Sequence, residues 1–274
     1  MPGRVFAYQL PHTTASGRAQ MRADRSLLEW CAAAPARAAF RLYSWERPTL
    51  SLGRTEPYPA GWNVAAIEAA GIEVVRRPTG GDAVLHDGEL TFAVAASLPG
   101  PWRLRPRAFA ETVADSLAGA LRAAGLTAER IRSGEGAPAR AGTWSCFARP
   151  ASGEVRVGSF KVAGIASRFT RGAALSHASV PLTSRHRDVA LFRIEPDRDR
   201  SELLRHARSA AEILGRDVEG ERLGAGILDS LSRMLGATFA GVTFAELGLA
   251  EPGRAELGAQ EPGDSELLCY RLTP

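Results

Sequence analysis

Lys161 is the only lysine in this chain of 274 residues, which contains 34 lysine and arginine residues in total. Arginine serves at every other cationic position, which indicates that position 161 needs an ammonium group. Lysine is a compact charge that can lose its proton when desolvated, whereas guanidinium is planar and always charged. Lys161 also lies in the apolar run FKVAG, where a solvated lysine is not expected. These features predict a catalytic lysine, and the alternative is a surface lysine retained by chance.

Cys146 precedes this lysine by 15 residues and is the candidate nucleophile. It lies between a Gly/Ala/Pro-rich stretch and a strand pattern, and not on a periodic apolar face. A cation beside a thiol lowers the thiol pKa, and the resulting thiolate attacks thioesters. The alternative is the usual role of a free cysteine as a small core residue, which is the prediction for Cys31 and Cys269. Three cysteines so far apart predict neither a disulfide framework nor a metal site.

The run RRPTGGDAVLH joins two arginines to a Gly-Gly turn and a histidine. Glycines let a backbone approach an anion or an acyl chain closely, and the arginines supply positive charge there. The same combination is common in turns that bind nothing, and a lone histidine is more often a structural, hydrogen-bonded residue. The candidate substrate-binding residues of this run are Arg76, Arg77, Gly80, Gly81 and His86.

The residues that follow Lys161 extend the candidate site. Gly164 leaves room beside the lysine, whose ammonium can then donate to a carbonyl oxygen that becomes negative during nucleophilic attack. His177, on the next predicted strand, is a further candidate for substrate binding. Ordinary strand or loop surface is the alternative for Ser167, Arg168 and His177.

Composition indicates an ordinary globular protein, with 45% hydrophobic and 23% charged residues and no apolar run long enough for a membrane span. The first residues lack the features of a signal peptide, so a cytoplasmic location is expected. The net charge is +4 and the pI is about 9.3, but the arginines are interspersed with acids. Neither nucleic acid nor a membrane is therefore predicted as a partner. A basic surface does suit small acidic carrier proteins.

Periodicity and turn residues predict short strands with helices between them. We expect an α+β fold with mixed, mostly antiparallel sheets packed against helices. The predicted strands are 5–10, 39–45, 49–54, 72–76, 89–97, 154–157, 160–169 and 173–180, and the predicted helices are 19–34, 63–70, 106–124, 201–214 and 221–235.

Three expectations concern how these elements are arranged. Strand 49–54 should be the antiparallel neighbour of strand 39–45, and residues 133–142 should form a mobile loop that orders over an acyl chain. The length fits one catalytic domain over residues 1–240. Residues 241–274 are then a C-terminal extension, which is either a small lobe or a strand that returns to the same domain.

The ordered motifs of the chain resemble those of the lipoate-protein ligases and octanoyltransferases, which share the biotin/lipoate protein ligase fold. The Cys-Phe pair 15 residues before the lysine, together with Glu-Leu-Thr after the histidine, is similar to the octanoyltransferase LipM type. The motifs are PTLSLGR (48–54), RRPTGGDAVLH (76–86), ELTF (89–92), Cys146-Phe147 and KVAG (161–164).

This resemblance implies that Cys146 accepts the acyl group, that Lys161 is the active-site lysine and that residues of the 76–86 run line the acyl site. The implied reaction moves an octanoyl group from octanoyl-acyl carrier protein to the lysine of a lipoyl domain, such as glycine cleavage H protein. No cofactor or metal is expected. The alternatives are an ATP-dependent lipoate-protein ligase using ATP with Mg, an octanoyl amidotransferase between lipoyl domains, and a non-enzymatic module that binds carrier proteins.

Overall fold

The computed structural model describes residues 6–98, 102, 104–132, 134–135, 145–148 and 151–253. Most of the loop predicted at 133–142 lies outside these residues, as does Cys269. Within them, twelve strands form two sheets. The strands are β1 (Phe6–Gln9), β2 (Thr13–Ala15), β3 (Arg37–Trp45), β4 (Thr49–Leu52), β5 (Glu73–Arg76), β6 (Val84–His86), β7 (Glu89–Ser97), β8 (Ala128–Arg130), β9 (Val155–Val157), β10 (Phe160–Phe169), β11 (Ala173–Pro181) and β12 (Phe239–Gly241).

Six α-helices and a long 3-10 helix, Ser184–Phe192, complete the main elements of the described residues. The first helix begins two residues before its predicted start, because the side chain of Ser16 accepts a hydrogen bond from the backbone of Ala19 and caps it. The helices are α1 (Gly17–Ala32), α2 (Val64–Ala69), α3 (Pro106–Ala123), α4 (Pro196–His206), α5 (Ala210–Leu214) and α6 (Gly220–Leu235).

The larger sheet has the strand order β12-β1-β3-β7-β11-β10-β9-β8, with β2 paired to β3. At its centre, the neighbouring strands β3, β7, β11 and β10 pair with one another in antiparallel fashion. Successive residues of a strand face opposite sides of a sheet, and both sides of β7 are covered. Phe92 and Val94 pack in a core with α3 and α6, while Ala93 and Ala95 pack with α1. The small alanines let α1 lie close to the sheet.

The smaller sheet has the order β5-β4-β6. The predicted pairing of β4 with β3 is wrong, because β4 pairs in parallel with β5 and antiparallel with β6. The chain bends at Glu46 and Arg47, and Pro48 follows, so the second strand leaves the first sheet. Alternating residue types predict that a strand exists but do not identify its partner.

The helix predicted over 201–214 is wrong as one element, since α4 ends at His206 and α5 starts at Ala210. Residue Ala207 is extended and forms a parallel bridge with Lys161, and the backbone of Arg208 donates to the Lys161 carbonyl at 3.2 Å. The side chain of Ser209 then caps α5. The break in the helix is therefore what secures the strand that carries the lysine.

The strand β12 lies across the predicted boundary at residue 240. It pairs in parallel with β1, and Phe244 beyond it is buried in the core beneath α1. The predicted α+β class with mixed, mostly antiparallel sheets is confirmed. None of the helices in the described residues has both the length and the apolar character needed to cross a bilayer.

Candidate active site

Lys161 is fully buried near the start of β10. Its Nζ donates to the backbone carbonyl of Cys146 and, at 2.5 Å, to the carboxylate of Glu154, and it lies 5.2 Å from the centre of the Phe147 ring. The hairpin of β9 and β10 turns at Gly158, where φ is +57°, and brings Glu154 beside the lysine. The predicted proximity of Lys161 to Cys146 is therefore present.

Glu154 is the residue of this group that sequence reasoning missed. It is buried, and its second oxygen accepts a hydrogen bond from the backbone of Ala151 at 2.8 Å. Burial raises the pKa of Glu154, and the charge and hydrogen bond of Lys161 only partly oppose this effect, so the pKa stays above its ordinary value. An acid at the start of a predicted strand gives no sign in the sequence that it will be buried.

Cys146 is half-buried in a short segment held by its backbone, which donates to the Ala83 carbonyl at 3.0 Å. Burial raises the pKa of its thiol, and the nearby charges of Lys161 and Arg77 lower it by less. The lysine does favour the thiolate, but desolvation is the larger effect.

The Gly-Gly turn lies directly against the thiol. Gly81 has a φ of +90°, and a β-carbon added to it would stand 2.9 Å from an Nη atom of Arg77 and 3.5 Å from the Cys146 sulfur. A β-carbon on Gly53 would meet the Gly81 carbonyl oxygen at 1.7 Å. Gly80, by contrast, has open space around it. Both Gly53 and Gly81 are thus required by close contacts around the cysteine.

The two adjacent arginines have different positions. Arg77 is buried and donates to the carbonyls of Ser51, Gly80 and Asp82 at 2.7–2.9 Å, which holds the turn in shape. Arg76 donates instead to the carbonyls of a neighbouring loop that begins at Gly53. It was predicted to line the acyl site, but the structure places its side chain outside the cavity beside Cys146.

That cavity is partly open to solvent, and its surface is almost wholly apolar. Residues from both sheets and from α1 surround it, including four of the predicted binding residues, Arg77, His86, Gly164 and His177. The lining residues are Met21, Tyr43, Trp45, Ser51, Arg77, Val84, His86, Thr91, Cys146, Gly164, Ile165, Ala166, His177, Ala178 and Ser179. Such a cavity suits an aliphatic chain whose reactive end lies at the thiol.

His86 is held in a chain of hydrogen bonds on one side of the cavity. Its Nδ1 lies 2.6 Å from Glu89, its Nε2 lies 2.7 Å from the Ser51 hydroxyl, and Trp45 stacks on its ring at 3.9 Å. Burial raises the pKa of Glu89, but the charge and hydrogen bond of His86 and the hydroxyls of Ser179 and Thr91 outweigh this effect and lower it. Glu89 is thus an ionised orienting group for His86.

His177 forms a second chain of the same kind. Its Nδ1 lies 2.9 Å from Asp24, and its Nε2 lies 2.6 Å from the hydroxyl of Thr79 in the Gly-Gly turn. Burial lowers the pKa of His177 despite its contact with Asp24. A neutral ring then donates from Nδ1 and accepts from Thr79. Asp24 also pairs with Arg41 at 3.1 Å, and it was not predicted because it lies among polar residues of α1.

The room beside the lysine does not depend on glycine at position 164, because a β-carbon there would make only ordinary van der Waals contacts. A β-carbon there would stand 3.5 Å from the Phe147 ring and 3.9 Å from Cε of Lys161. Arg168, further along β10, donates to the Pro78 carbonyl at 3.0 Å and supports the turn. Among the described residues, no group of three or more His, Cys, Asp or Glu side chains is placed to hold a metal ion.

The sequence of the chain is similar to the sequences of known proteins. Residues 16–229 match the lipoyl protein ligase A/B catalytic domain. The chain belongs to this family. Octanoyltransferase LipM of Kyrpidia tusciae is 35% identical to this chain over 72% of this chain and 75% of that protein. Octanoyltransferase LipM of Moorella thermoacetica is 32% identical over 73% and 75%. The family resemblance drawn from the motifs is confirmed.

Solved structures agree on the fold. A lipoate-protein ligase A bound with ATP superposes with a TM-score of 0.71 at 21% identity, covering 90% of this chain and 91% of the other. A bi-partite lipoate protein ligase of Thermoplasma acidophilum, studied with its E2 lipoyl domain, also gives 0.71 at 19% identity, with 89% of each chain covered. At this identity the family fold is shared, and the chemistry must be argued from the site.

Proposed function

We propose that this protein is an octanoyltransferase of protein lipoylation, which forms an octanoyl thioester on Cys146 and passes the acyl group to a lysine of a lipoyl domain. The observation that carries the proposal is that Cys146 lines an apolar cavity while the buried Lys161 ammonium binds its backbone carbonyl. The relatives named octanoyltransferase LipM support the same acyl group.

In the first step, the sulfur of Cys146 attacks the carbonyl carbon of an octanoyl thioester, for which octanoyl-acyl carrier protein is the donor. The thiol gives up its proton, the carrier leaves as a thiol after taking one up, and a new thioester remains on the enzyme. The bond that breaks in the donor and the bond that forms on Cys146 are both thioester bonds. The step therefore needs neither ATP nor a metal.

Lys161 supports this step as the stabiliser of the negative oxygen. An ammonium has three N–H donors, and two of them serve the Cys146 carbonyl and Glu154. The third remains for the oxyanion of the tetrahedral intermediate. Such a donor is effective because it is held in place before the reaction, in a site that excludes water.

In the second step, the neutral ε-amine of the acceptor lysine attacks the Cys146 thioester, an amide bond forms as the C–S bond breaks, and the proton lost by the nitrogen restores the Cys146 thiol. A lipoyl domain fits as acceptor, since the Thermoplasma ligase of the same fold was studied with an E2 lipoyl domain. A net charge of +4 favours encounter with acidic carrier and lipoyl domains. An octanoyl amidotransferase between lipoyl domains would form the same Cys146 thioester, but by attack on the amide of an octanoylated lysine, whose amine takes up a proton and leaves.

The second candidate is an ATP-dependent ligase, since one protein of this fold binds ATP. A ligase activates a free carboxylic acid, and it should tolerate loss of Cys146. The deciding experiment is intact-mass analysis after incubation with octanoyl-acyl carrier protein, without ATP. We expect the mass to rise by one octanoyl group, and the group to be removed by hydroxylamine. A protein that binds the carrier without gaining mass would be a non-enzymatic module.

Cys146→Ser is the matching variant. We expect it to fold and to lose transfer, because the pKa of a serine hydroxyl is far higher than that of a thiol and too little of it ionises to attack the thioester. Cys31→Ala is the control, since Cys31 is a buried core residue whose pKa burial raises to about 12. Transfer by Cys146→Ser near the wild-type rate, or modification that requires ATP and free octanoate, would contradict the proposal.

A further inference from the structure

The carboxylate of Glu154 works against a reactive cysteine, as do burial and the charge of Asp82. Its oxygen lies 2.5 Å from Nζ of Lys161, and both side chains are buried. By neutralising the lysine, Glu154 raises the pKa of the Cys146 thiol. A lone lysine would favour the thiolate more strongly. Burial of an ion pair also brings little stability, because desolvation offsets the attraction.

A proton acceptor would account for this arrangement. Attack by Cys146 on a thioester releases the thiol proton inside a buried site, and departure of the donor's thiolate consumes one. Lys161 is already a paired ammonium and cannot accept a proton unless it first gives one away. Glu154 is the group to which it can give it, because the two share a direct hydrogen bond.

We propose that Glu154 is the positioning residue that takes up the Cys146 proton through Lys161, on the basis of the proposed acyl transfer. The S–H bond of Cys146 breaks as a new N–H bond forms at Nζ, while one N–H proton of Lys161 moves to the Glu154 oxygen. The products are a thiolate, an ammonium and a neutral carboxyl group. When the donor's thiolate leaves, the same proton returns through Lys161 to protonate it.

The charges around the pair fit this exchange. Proton transfer moves the negative charge from the Glu154 carboxylate to the Cys146 sulfur, so the net charge of the thiol, the ammonium and the carboxyl group is unchanged. No net charge is therefore created in the buried site. Nζ already contacts the residue that carries the thiol. Burial raises the pKa of both Glu154 and Cys146, so the carboxylate accepts a proton more readily than an exposed one. Asp82 raises both pKa values further, and Arg77 lowers that of the thiol.

The test compares Glu154→Gln with wild type across the neutral and mildly basic range. Glutamine keeps the shape but cannot take up a proton. In wild type the acyl-enzyme should form at a rate that changes little with pH. In the variant only solvent-generated thiolate reacts, so the rate should fall about a hundredfold near neutrality. It should then rise about tenfold per pH unit until the thiol is ionised. A purely structural role would reduce the rate equally at every pH.

Alkylation of Cys146 by iodoacetamide gives a second readout that needs no octanoyl donor. Removing the negative charge should move the midpoint of the alkylation profile to lower pH, by on the order of one unit. The thiol would thus be easier to alkylate while acylation near neutrality is slower. If octanoyl-acyl carrier protein fails to acylate wild type, the proposed function fails, and the alkylation shift still reports on the Glu154 contact.

Two further variants complete the design. Glu129→Gln is the control. Glu129 lies on β8 and makes an exposed ion pair with Arg156 of the β9–β10 hairpin, so its replacement should change neither the rate profile nor the alkylation profile. Glu154→Asp keeps a carboxylate and should keep the flat pH profile, with a rate within about tenfold of wild type. If Glu154→Gln does not fold, the pH profile of Glu154→Asp tests the proposal on its own. A thiolate-limited profile for Glu154→Asp, or an unshifted alkylation midpoint and a pH-independent loss for Glu154→Gln, would overturn the proposal.

Discussion

Lys161→Arg tests whether the chain needs an ammonium at this position or only a positive charge. Lys161 is fully buried, with Nζ bound to the Cys146 carbonyl and to Glu154 at 2.5 Å. The Phe147 ring lies 5.2 Å from Nζ, and a β-carbon on Gly164 would stand 3.9 Å from Cε. A guanidinium keeps the charge but is larger and planar, so it cannot place its donors where Nζ does.

The structure predicts different sizes for the effects on stability and on rate. Overpacking of a filled core costs about 1–3 kcal/mol, while the pair with Glu154 is retained. Misplacing one oxyanion donor costs about 2.7–4 kcal/mol, or about 10² to 10³ in rate. Lys161→Met should instead destabilise the protein by about 3–5 kcal/mol, because it leaves the Glu154 charge buried without a partner. The arginine variant should therefore fold better than the methionine variant, although both transfer poorly.

Urea unfolding, single-turnover octanoyl transfer and the pH profile of Cys146 alkylation measure these effects separately. We expect the alkylation profile of Lys161→Arg to stay close to that of wild type, since the positive charge remains. Arg200→Lys, a cation exchange at an exposed position of α4, is the control and should leave all three unchanged. Octanoyl transfer by Lys161→Arg at the wild-type rate would refute the argument and make the single lysine a coincidence.

Two other changes test the surroundings of the site. Gly81→Ala requires a φ of +90° from alanine and pushes a β-carbon to 2.9 Å from Arg77, so we expect a loss of about 1–2 kcal/mol in stability and slower acylation of Cys146. Gly241→Ala, at an open position without positive φ, is its control, and equal behaviour of the two would contradict the role of the turn. Burial lowers the pKa of His186 from 6.5 to about 4, so neutral His186 favours the folded state above about pH 6.5, and up to about 3 kcal/mol of stability should be lost as the pH falls towards 4. Urea unfolding from pH 7 to 4 should show a smaller loss in His186→Gln, and an identical loss would contradict this account.

Strands bounded by turn residues were predictable from the sequence, whereas the strands with which they pair were not. Strand β7 was predicted with its observed bounds, and the predicted strands 154–157 and 160–169 lie on either side of the observed turn at Gly158. Alternation and turn glycines act within a few residues, so they are visible locally. The pairing of β4 depends on where the chain goes after Pro48, and the break between α4 and α5 depends on contact with Lys161. Both are tertiary effects.

The same division holds for the site. The structure places Cys146, His86 and His177 around one cavity, as the motifs led us to expect. The carboxylates that hold these groups were missed, although each lies within hydrogen-bonding distance of a predicted residue or its partner. An acid in a polar stretch of α1, or at the start of a strand, has the same local pattern as a surface acid. Burial of an acid is decided by packing between elements far apart in sequence. The missed acids are Asp24, Glu89 and Glu154.

Burial alone does not explain why lysine stands at position 161. Arg41 and Arg77 are also buried, at 1% and 4% exposure, so this chain does place arginine in its interior. Arg41 pairs with Asp24 and stacks on Tyr43 at 4.0 Å, and Arg77 binds backbone carbonyls of the turn. Both use the planar, multiple donors of a guanidinium to hold structure. Lys161 differs because its Nζ donates to the backbone carbonyl of Cys146, the residue that carries the thiol, and to the carboxylate of Glu154. A group that must exchange protons with both cannot be a guanidinium, which keeps its proton at any working pH.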